Sequence, residues 1–204
     1  MSFANETILH VDLNKLEQNY NYLKAKLKPE TKIIGVVKAF AYGHGDVEVS
    51  KKLANIGVDA LWVSDFEEGV ILRKSNIKTK IIVANPGIKS YSEIITYKLD
   101  IIVYNHKILD LYCNQKQPVN IHVKFNTGMN RYGFNTSDID SIIVKIKKNP
   151  HLNLISICSH LAASCNKNKL SYTKKQINVF NTISKKFETG IGRVIQKHLL
   201  NSYG

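Results

Sequence analysis

Lys38 stands at a place in the sequence where a lysine is unusual. It follows the apolar, β-branched residues 33–37, which predict a strand buried on both faces. The turn YGHG, residues 42–45, comes next, and Asp46 is the expected N-cap of the following helix. Active sites of α/β sheets and barrels lie at the carboxyl ends of such strands. The alternative is a lysine that reaches the rim of the sheet and has no chemical role.

Three later strands also carry polar side chains on one face. Because side chains alternate along a strand, each of the three segments presents one such set. The sets are His122, Lys124 and Asn126; Ser156, Cys158 and His160; and His198, Leu200 and Ser202. Two lysines brought close together would repel, and loss of water would lower their pKa values. A neutral amine of this kind is a nucleophile suited to forming a Schiff base with a carbonyl compound.

Strands and helices alternate along the whole sequence. Apolar runs predict strands at 32–38, 60–64, 80–84, 100–104, 119–126, 154–160 and 197–202. Amphipathic patterns predict helices at 13–27, 47–56, 66–75, 91–98, 106–115, 137–148 and 170–187. Alternation of this kind indicates a parallel sheet with right-handed crossovers.

Seven strand–helix units favour a TIM-type (β/α)8 barrel over an open sheet, although the pattern does not exclude the open sheet. A complete barrel needs eight strands and typically about 250 residues. The sequence stops at residue 204, directly after the seventh strand, so we expect an incomplete barrel. No linker divides it, and residues 1–204 are therefore interpreted as one partial domain.

The composition argues against several classes of partner. The net charge of +13 invites a nucleic-acid interpretation, but the lysines are spread over nearly every predicted helix, and RNA-binding aromatic motifs and zinc-finger spacings are absent. Cys113, Cys158 and Cys165 are odd in number and lack metal-ligand spacing. Neither a signal-peptide core nor an apolar run of membrane-spanning length occurs. We therefore expect a cytoplasmic protein with no metal, membrane or nucleic-acid partner.

Four segments together resemble the alanine racemase family. VVKAFAYGHG resembles the family's cofactor-lysine motif, and HVKFNTGMNRYGF resembles its second motif, around a lysine and an arginine. SHLAAS is similar to the segment with the active-site histidine, and HLLNSYG to a phosphate-binding segment. The first two motifs are long and specific, whereas the last two would be weak alone. The order and spacing of all four agree from residue 8 to the last residue.

The resemblance implies pyridoxal 5'-phosphate (PLP) as the cofactor and gives roles to the first motifs. Lys38 would hold PLP and act as the base on one face of the substrate, and Tyr42 would lie beside the PLP phosphate. Arg131 would donate to the phenolic oxygen of PLP and hold the substrate carboxylate. Lys124 is similar to a family lysine that is often carbamylated, which would give an anion that orients Arg131.

The last two motifs complete the set that the resemblance implies. His160 would pack near the pyridine ring, Ser202 would bind the cofactor phosphate, and Asn201 would be a further cofactor-binding residue. Barrels commonly place a phosphate site after the seventh strand. In these motifs the sequence departs from the family at Phe40, where Asn is common, and at Asn126, where Asp is common.

The resemblance implies a homodimeric racemase that supplies D-alanine for bacterial peptidoglycan by two-base proton transfer. The family's eighth strand, the arginine facing the pyridine nitrogen, and the C-terminal β-domain with the second catalytic tyrosine have no counterpart in these 204 residues. We therefore expect a fragment with little or no activity alone. The alternatives are a racemase of another amino acid, a non-catalytic single-domain PLP-binding protein of cofactor homeostasis, and a basic nucleic-acid-binding protein.

Overall fold

The computed structural model describes residues 7–203, in which parallel strands alternate with helices. The strands are β1 (Ile34–Val36), β2 (Ala60–Asp65), β3 (Lys80–Asn85), β4 (Asp100–Val103), β5 (Val119–Lys124), β6 (Leu152–Cys158) and β7 (Gln196–His198). The helices are α1 (Leu13–Lys24), the short α2 (Lys38–Tyr42), α3 (Asp46–Asn55), α4 (Phe66–Lys74), α5 (Tyr91–Thr96), α6 (His106–Gln115), α7 (Ile139–Lys148) and α8 (Leu170–Ile191). Among residues 7–203, no helix is long and apolar enough to cross a membrane.

The seven strands form one sheet whose order follows the chain, from β1 to β7. The pairs β1–β2, β4–β5, β5–β6 and β6–β7 are parallel. A parallel sheet in chain order with a helix after each strand is the plan of a (β/α)8 barrel. Here there are seven strands, as the sequence predicts, and helices follow β1 to β6. The chain divides into two compact units, one up to Ile82 and one from Val83.

In the unit up to Ile82, strand β2 packs against α4. Leu61 and Val63 are fully buried in it, as is Leu72 of α4. The prediction that the first strand is buried on both faces is wrong, because Val36 is 45% exposed. As the first strand in the order, β1 lies at an edge of the sheet, and an edge strand has a neighbour on one side only.

The unit from Val83 is built around β4, β5 and β6. Directly after β5, the ring of Phe125 meets the ring of Phe187 on the long helix α8 edge to face, with 5.5 Å between the ring centroids. A register shift between β5 and β6 pairs His122 with Ser156, although Ile121 pairs with Leu154. The shift keeps the polar residues at the carboxyl ends of both strands on one face.

The predicted helices and strands exist, with differences at their ends. The expected N-cap Asp46 is instead the first residue of α3, and Gly45 occupies the cap with φ +92°. Asp46 still accepts a hydrogen bond from the backbone N–H of Val47, at 2.9 Å. The larger difference is α2, which the sequence did not predict.

Candidate active site

Lys38 opens a left-handed helical turn. The next four residues, Ala39 to Tyr42, have φ between 50° and 57°, and none of them is glycine. A left-handed conformation costs an L-residue about 1–2 kcal/mol, so such a run persists only where its surroundings hold it. The turn closes with backbone hydrogen bonds from Gly45 N to Phe40 O, at 3.0 Å, and from Gly43 N to Ala39 O, at 3.2 Å.

A single carboxylate holds this turn against the next strand and helix. Glu68 Oε1 accepts from the backbone N–H of Ala39 at 2.6 Å, and Oε2 accepts from Ser64 N–H, also at 2.6 Å. On the strand side, Val37 N donates to Trp62 O at 2.9 Å. The start of the turn is therefore fixed to the end of β2 and to α4.

The turn buries Ala41 but leaves its larger side chains open to solvent. Phe40 and Tyr42 are 62% and 61% exposed, and Lys38 is partly exposed. The Lys38 amine lies 6.0 Å from the centroid of the Tyr42 ring. The turn thus presents an amine and a phenol side by side at the carboxyl end of β1.

Lys124, the second predicted lysine, lies in a different environment. It ends β5, is 9% exposed, and pairs in register with Cys158 of β6. Burial lowers the pKa of Lys124, and the charge of Arg131 lowers it further, whereas Cys158 acts in the opposite direction. Burial also raises the pKa of the Cys158 thiol to about 12, against the effect of Lys124. Cys158 therefore stays a neutral thiol at neutral pH and provides no counter-charge for Lys124.

Two imidazoles lie below this lysine and share one hydroxyl. Ser156 Oγ is 2.6 Å from His122 Nδ1 and 3.1 Å from His198 Nε2. A hydroxyl has one hydrogen, so Ser156 donates to one ring and accepts from the other. His122 Nε2 lies 3.5 Å from the buried carboxylate of Asp100. Burial lowers the pKa of His198 to about 3, with further lowering from His122 and Lys124.

The loop after β5 carries Arg131 and is closed at its base. Asn126 N donates to Phe134 O at 2.9 Å, and Phe134 N donates to Lys124 O at 2.8 Å. Inside the loop, Asn126 Oδ1 accepts from the backbone N–H groups of Gly128 and Asn130, both at 3.0 Å. A Cβ on Gly133 would lie 2.5 Å from Asn126 N, so the closure requires glycine there. The exposed Arg131 thus projects from an ordered loop.

The end of β7 meets the loop after β6. Asn201 Oδ1 accepts from Ser164 Oγ at 2.7 Å and from Tyr203 N at 3.0 Å, and Asn201 Nδ2 donates to Leu161 O at 3.3 Å. Ser202 is exposed in the turn that follows Asn201. Asn201 therefore brings the predicted phosphate-binding end of the chain to the loop that begins with His160.

The predicted site residues lie in both units. Lys38 and Tyr42 belong to the unit up to Ile82. Those in the unit from Val83 are Lys124, Arg131, His160, Asn201 and Ser202. Within that unit, the expected polar face of β5 and β6 is confirmed by the hydrogen bond between His122 and Ser156. The chemical roles of all seven remain predictions.

Sequence reasoning missed two residues that hold parts of the candidate site in place. Glu68 has an acceptor role that is visible only once the left-handed turn is known. Gln176 is fully buried on α8 between Thr173 and Phe180, where an amphipathic pattern expects an apolar side chain. A buried amide on an apolar stripe was the signal that could have identified Gln176.

Known proteins resemble this chain along most of its length. A family model for the N-terminal domain of alanine racemase matches residues 11–204. An amino-acid racemase of Enterococcus faecalis is 34% identical over 84% of this chain and 24% of its own length. An alanine racemase of Treponema denticola is 32% identical over 87% of this chain and 48% of its own length. The chain thus spans less than half of each of these two relatives.

Solved structures agree with the fold. An alanine racemase of Clostridium difficile matches 94% of this chain with a TM-score of 0.87 and 31% identity, over 51% of its own chain. Its complex with cycloserine matches 94% of this chain with a TM-score of 0.85 and 33% identity, over 54% of its own chain.

Proposed function

Because the chain belongs to the alanine racemase N-terminal domain family, we propose that the protein containing it is a PLP-dependent alanine racemase that interconverts L-alanine and D-alanine. The observation that carries the proposal is the presentation of Lys38 by the left-handed turn at the end of β1. A strained, well-anchored backbone that exposes one amine is typical of a functional site.

The donor set fits PLP, which offers an aldehyde, a pyridine ring with a phenolic oxygen, and a phosphate. Lys38 supplies the primary amine that an aldehyde requires. His160 supplies an imidazole for the ring, and Arg131 a guanidinium for the phenolic oxygen. Tyr42, with Asn201 and Ser202, supplies the hydroxyl and amide donors suited to a phosphate. When bound, PLP provides the electron sink that stabilises negative charge on the substrate Cα.

The protein residues have separate tasks in the proposed reaction. Lys38 Nζ takes or returns the Cα proton on one face of alanine, and Arg131 holds the substrate carboxylate through its forked donors. We assign the base for the other face to no residue of this chain. In this proposal the complete protein is a homodimer in the cytoplasm, and its D-alanine serves peptidoglycan. The free state of Cys113, Cys158 and Cys165 supports a reducing compartment.

We also propose that Lys124 is carbamylated. Carbon dioxide reacts with the neutral form of an amine, and burial lowers the pKa of Lys124 in the direction that favours this form. The carbamate would replace a positive charge beside Arg131 with a negative one that holds the guanidinium.

The proposal is tested by adding PLP to the chain and to its Lys38→Ala variant. We expect the wild type to take up PLP with a shift of the cofactor absorption band, and the variant to lose this shift. In the complete protein, D-alanine should form from L-alanine, and Lys38→Ala should abolish it. Uptake of PLP without racemisation by the complete protein would indicate a PLP-binding protein of another kind.

The E. faecalis relative, described as an amino-acid racemase, favours a second substrate assignment, in which the protein acts on an amino acid other than alanine. Racemisation of a panel of small L-amino acids by the complete protein separates the two assignments. A kcat/KM for another amino acid at least tenfold above that for alanine would replace alanine as the substrate.

A further inference from the structure

We propose that Gln176 is a positioning residue of the candidate active site. Its buried amide on α8 fixes the loop after β5, which carries Arg131, in relation to the loop after β6, which carries His160. The proposal rests on the proposed function, because it concerns how the PLP-binding residues are held.

Gln176 uses both ends of its amide on these two loops. It is fully buried, with 0% of its surface exposed. Its Nε2 donates to His160 O at 3.0 Å and to Thr127 Oγ1 at 3.4 Å, and its Oε1 accepts from Ala162 N at 2.9 Å. A buried amide that loses these partners leaves unsatisfied polar groups on both loops.

Neighbouring contacts reinforce the same junction. Tyr172 lies one helical turn before Gln176, and its hydroxyl donates to Gly128 O at 2.5 Å. Gly128 has φ +133°, and a Cβ there would lie 2.7 Å from the Tyr172 oxygen. The hydroxyls of Thr127 and Ser159 are 2.8 Å apart, which joins the two loops directly. The junction of Tyr172, Gln176, Thr127 and Ser159 is therefore polar and continuous.

The junction acts on two predicted cofactor ligands through the backbone. Residues 127 and 128 begin the loop that ends at Phe134 and carries Arg131. On the other loop, the carbonyl that Gln176 binds belongs to His160 itself. Small displacements of positioned groups cost large factors in binding and catalysis. A Gln176 amide that served only to pack α8 would affect stability but would leave PLP binding unchanged.

The experiment compares Gln176→Met with Ser184→Ala in the 204-residue chain. Met keeps the length and loses all three hydrogen bonds. Ser184→Ala is the matched control, because Ser184 is also buried on α8 and its Oγ donates to Phe180 O, within the helix and away from both loops. The readouts are the PLP dissociation constant, the absorption band of PLP bound at Lys38, and amide hydrogen exchange at Ala162.

For Gln176→Met we expect PLP to bind about tenfold more weakly, because the three buried hydrogen bonds that hold the two loops are lost. The absorption band should shift and the Ala162 amide should exchange faster. Ser184→Ala should bind PLP within about twofold of the wild type, since its lost bond does not reach the loops.

The outcomes separate this proposal from the proposed function. A wild-type chain that takes up no PLP at Lys38 contradicts the proposed function. The role of Gln176 is overturned if the wild type binds PLP and the two variants, Gln176→Met and Ser184→Ala, show the same PLP affinity and the same absorption band as each other. If Gln176→Met does not fold, Tyr172→Phe decides, since it removes only the contact to Gly128: PLP binding weakened about threefold supports the role, and unchanged binding overturns it.

Discussion

Lys38 follows β1 and Lys124 ends β5 of the same sheet, yet the two lysines have different surroundings. Lys38 is partly exposed, and the groups that hold its turn are mostly backbone N–H and C=O groups with one carboxylate, Glu68. Lys124 is buried beside the neutral thiol of Cys158, above two imidazoles that share the Ser156 hydroxyl. Accessibility, rather than position along a strand, thus distinguishes a candidate nucleophile from a candidate charge partner.

The two regions also depend on different devices for their shape. In the segment after Lys38, four non-glycine residues have unfavourable positive φ angles, and Glu68 holds the start of the segment through a hydrogen bond. The β5–β7 region depends on side-chain hydrogen bonds and on close backbone approach at Gly133. Substitutions should therefore have unequal effects in the two regions. Three substitutions follow, from the largest expected effect to the smallest, and then a test by pH.

Replacing Gly133 by alanine should have the largest effect on stability. The new Cβ would overlap Asn126 N at 2.5 Å, so we expect a loss of about 3 kcal/mol in the free energy of unfolding, measured by urea denaturation. Gly43→Ala is the control in the other region, because Gly43 has φ +88° with open space around it and should cost only about 1 kcal/mol. Equal losses for both variants would contradict the contrast between the regions.

Ser156→Ala tests the shared hydroxyl. The buried His122 and the half-buried His198 would both lose a partner, so the free energy of unfolding should fall by about 2 kcal/mol. The exposed Ser141→Ala, which loses a bond to Asp138 O, should change stability by less than about 0.5 kcal/mol. If the two serine variants unfold at the same urea concentration, the hydroxyl does not support the imidazoles.

Glu68→Ala tests the anchor of the left-handed turn. Loss of the carboxylate leaves the N–H groups of Ala39 and Ser64 without their acceptor, and we expect about 1.5 kcal/mol of destabilisation. PLP binding at Lys38 should weaken as well. Glu67→Ala, an exposed neighbour of the same charge in the same helical turn, is the control. A control that weakens PLP binding as much would show that charge, and not the anchor, is responsible.

The pH dependence of stability tests the lowered pKa of the half-buried His198. Its pKa is about 3 in the folded protein and about 6.5 in the unfolded chain, so below pH 6.5 the unfolded state binds a proton that the folded state does not. Stability should therefore fall as the pH drops from 6.5, by no more than about 1.4 kcal/mol per pH unit. His198→Gln should show a shallower decline over pH 6.5–4.5. Parallel curves for the two proteins would contradict this assignment.

The sequence predicted more of the fold than of the site's construction. Helix and strand periodicity identified each of the main elements, and strand alternation placed His122 with Lys124 on one face. Prediction from these sequence patterns failed where tertiary contacts override the local backbone preference of the residues. Ala, Phe and Tyr disfavour positive φ, so nothing local indicates the left-handed run at 39–42. Val36 is exposed because β1 lies at the edge of the sheet. The residues of a strand do not reveal which strands will be its neighbours.

Sequence patterns could not predict the contacts between segments that are distant in the chain. The pairing of His122 with Ser156 depends on a register shift between β5 and β6. The hydrogen bonds of Gln176 reach residues 14 to 49 positions away, so its polarity was visible in the sequence but its partners were not.

Site mapping of the PLP-binding lysine tests the contrast between the two lysines most directly. The chain is incubated with PLP, reduced with borohydride to fix the cofactor to its amine, and digested for peptide mass spectrometry. We expect the label on Lys38, with Lys124 unlabelled. A label on Lys124 or on another lysine of the folded chain, with Lys38 unmodified, would contradict it.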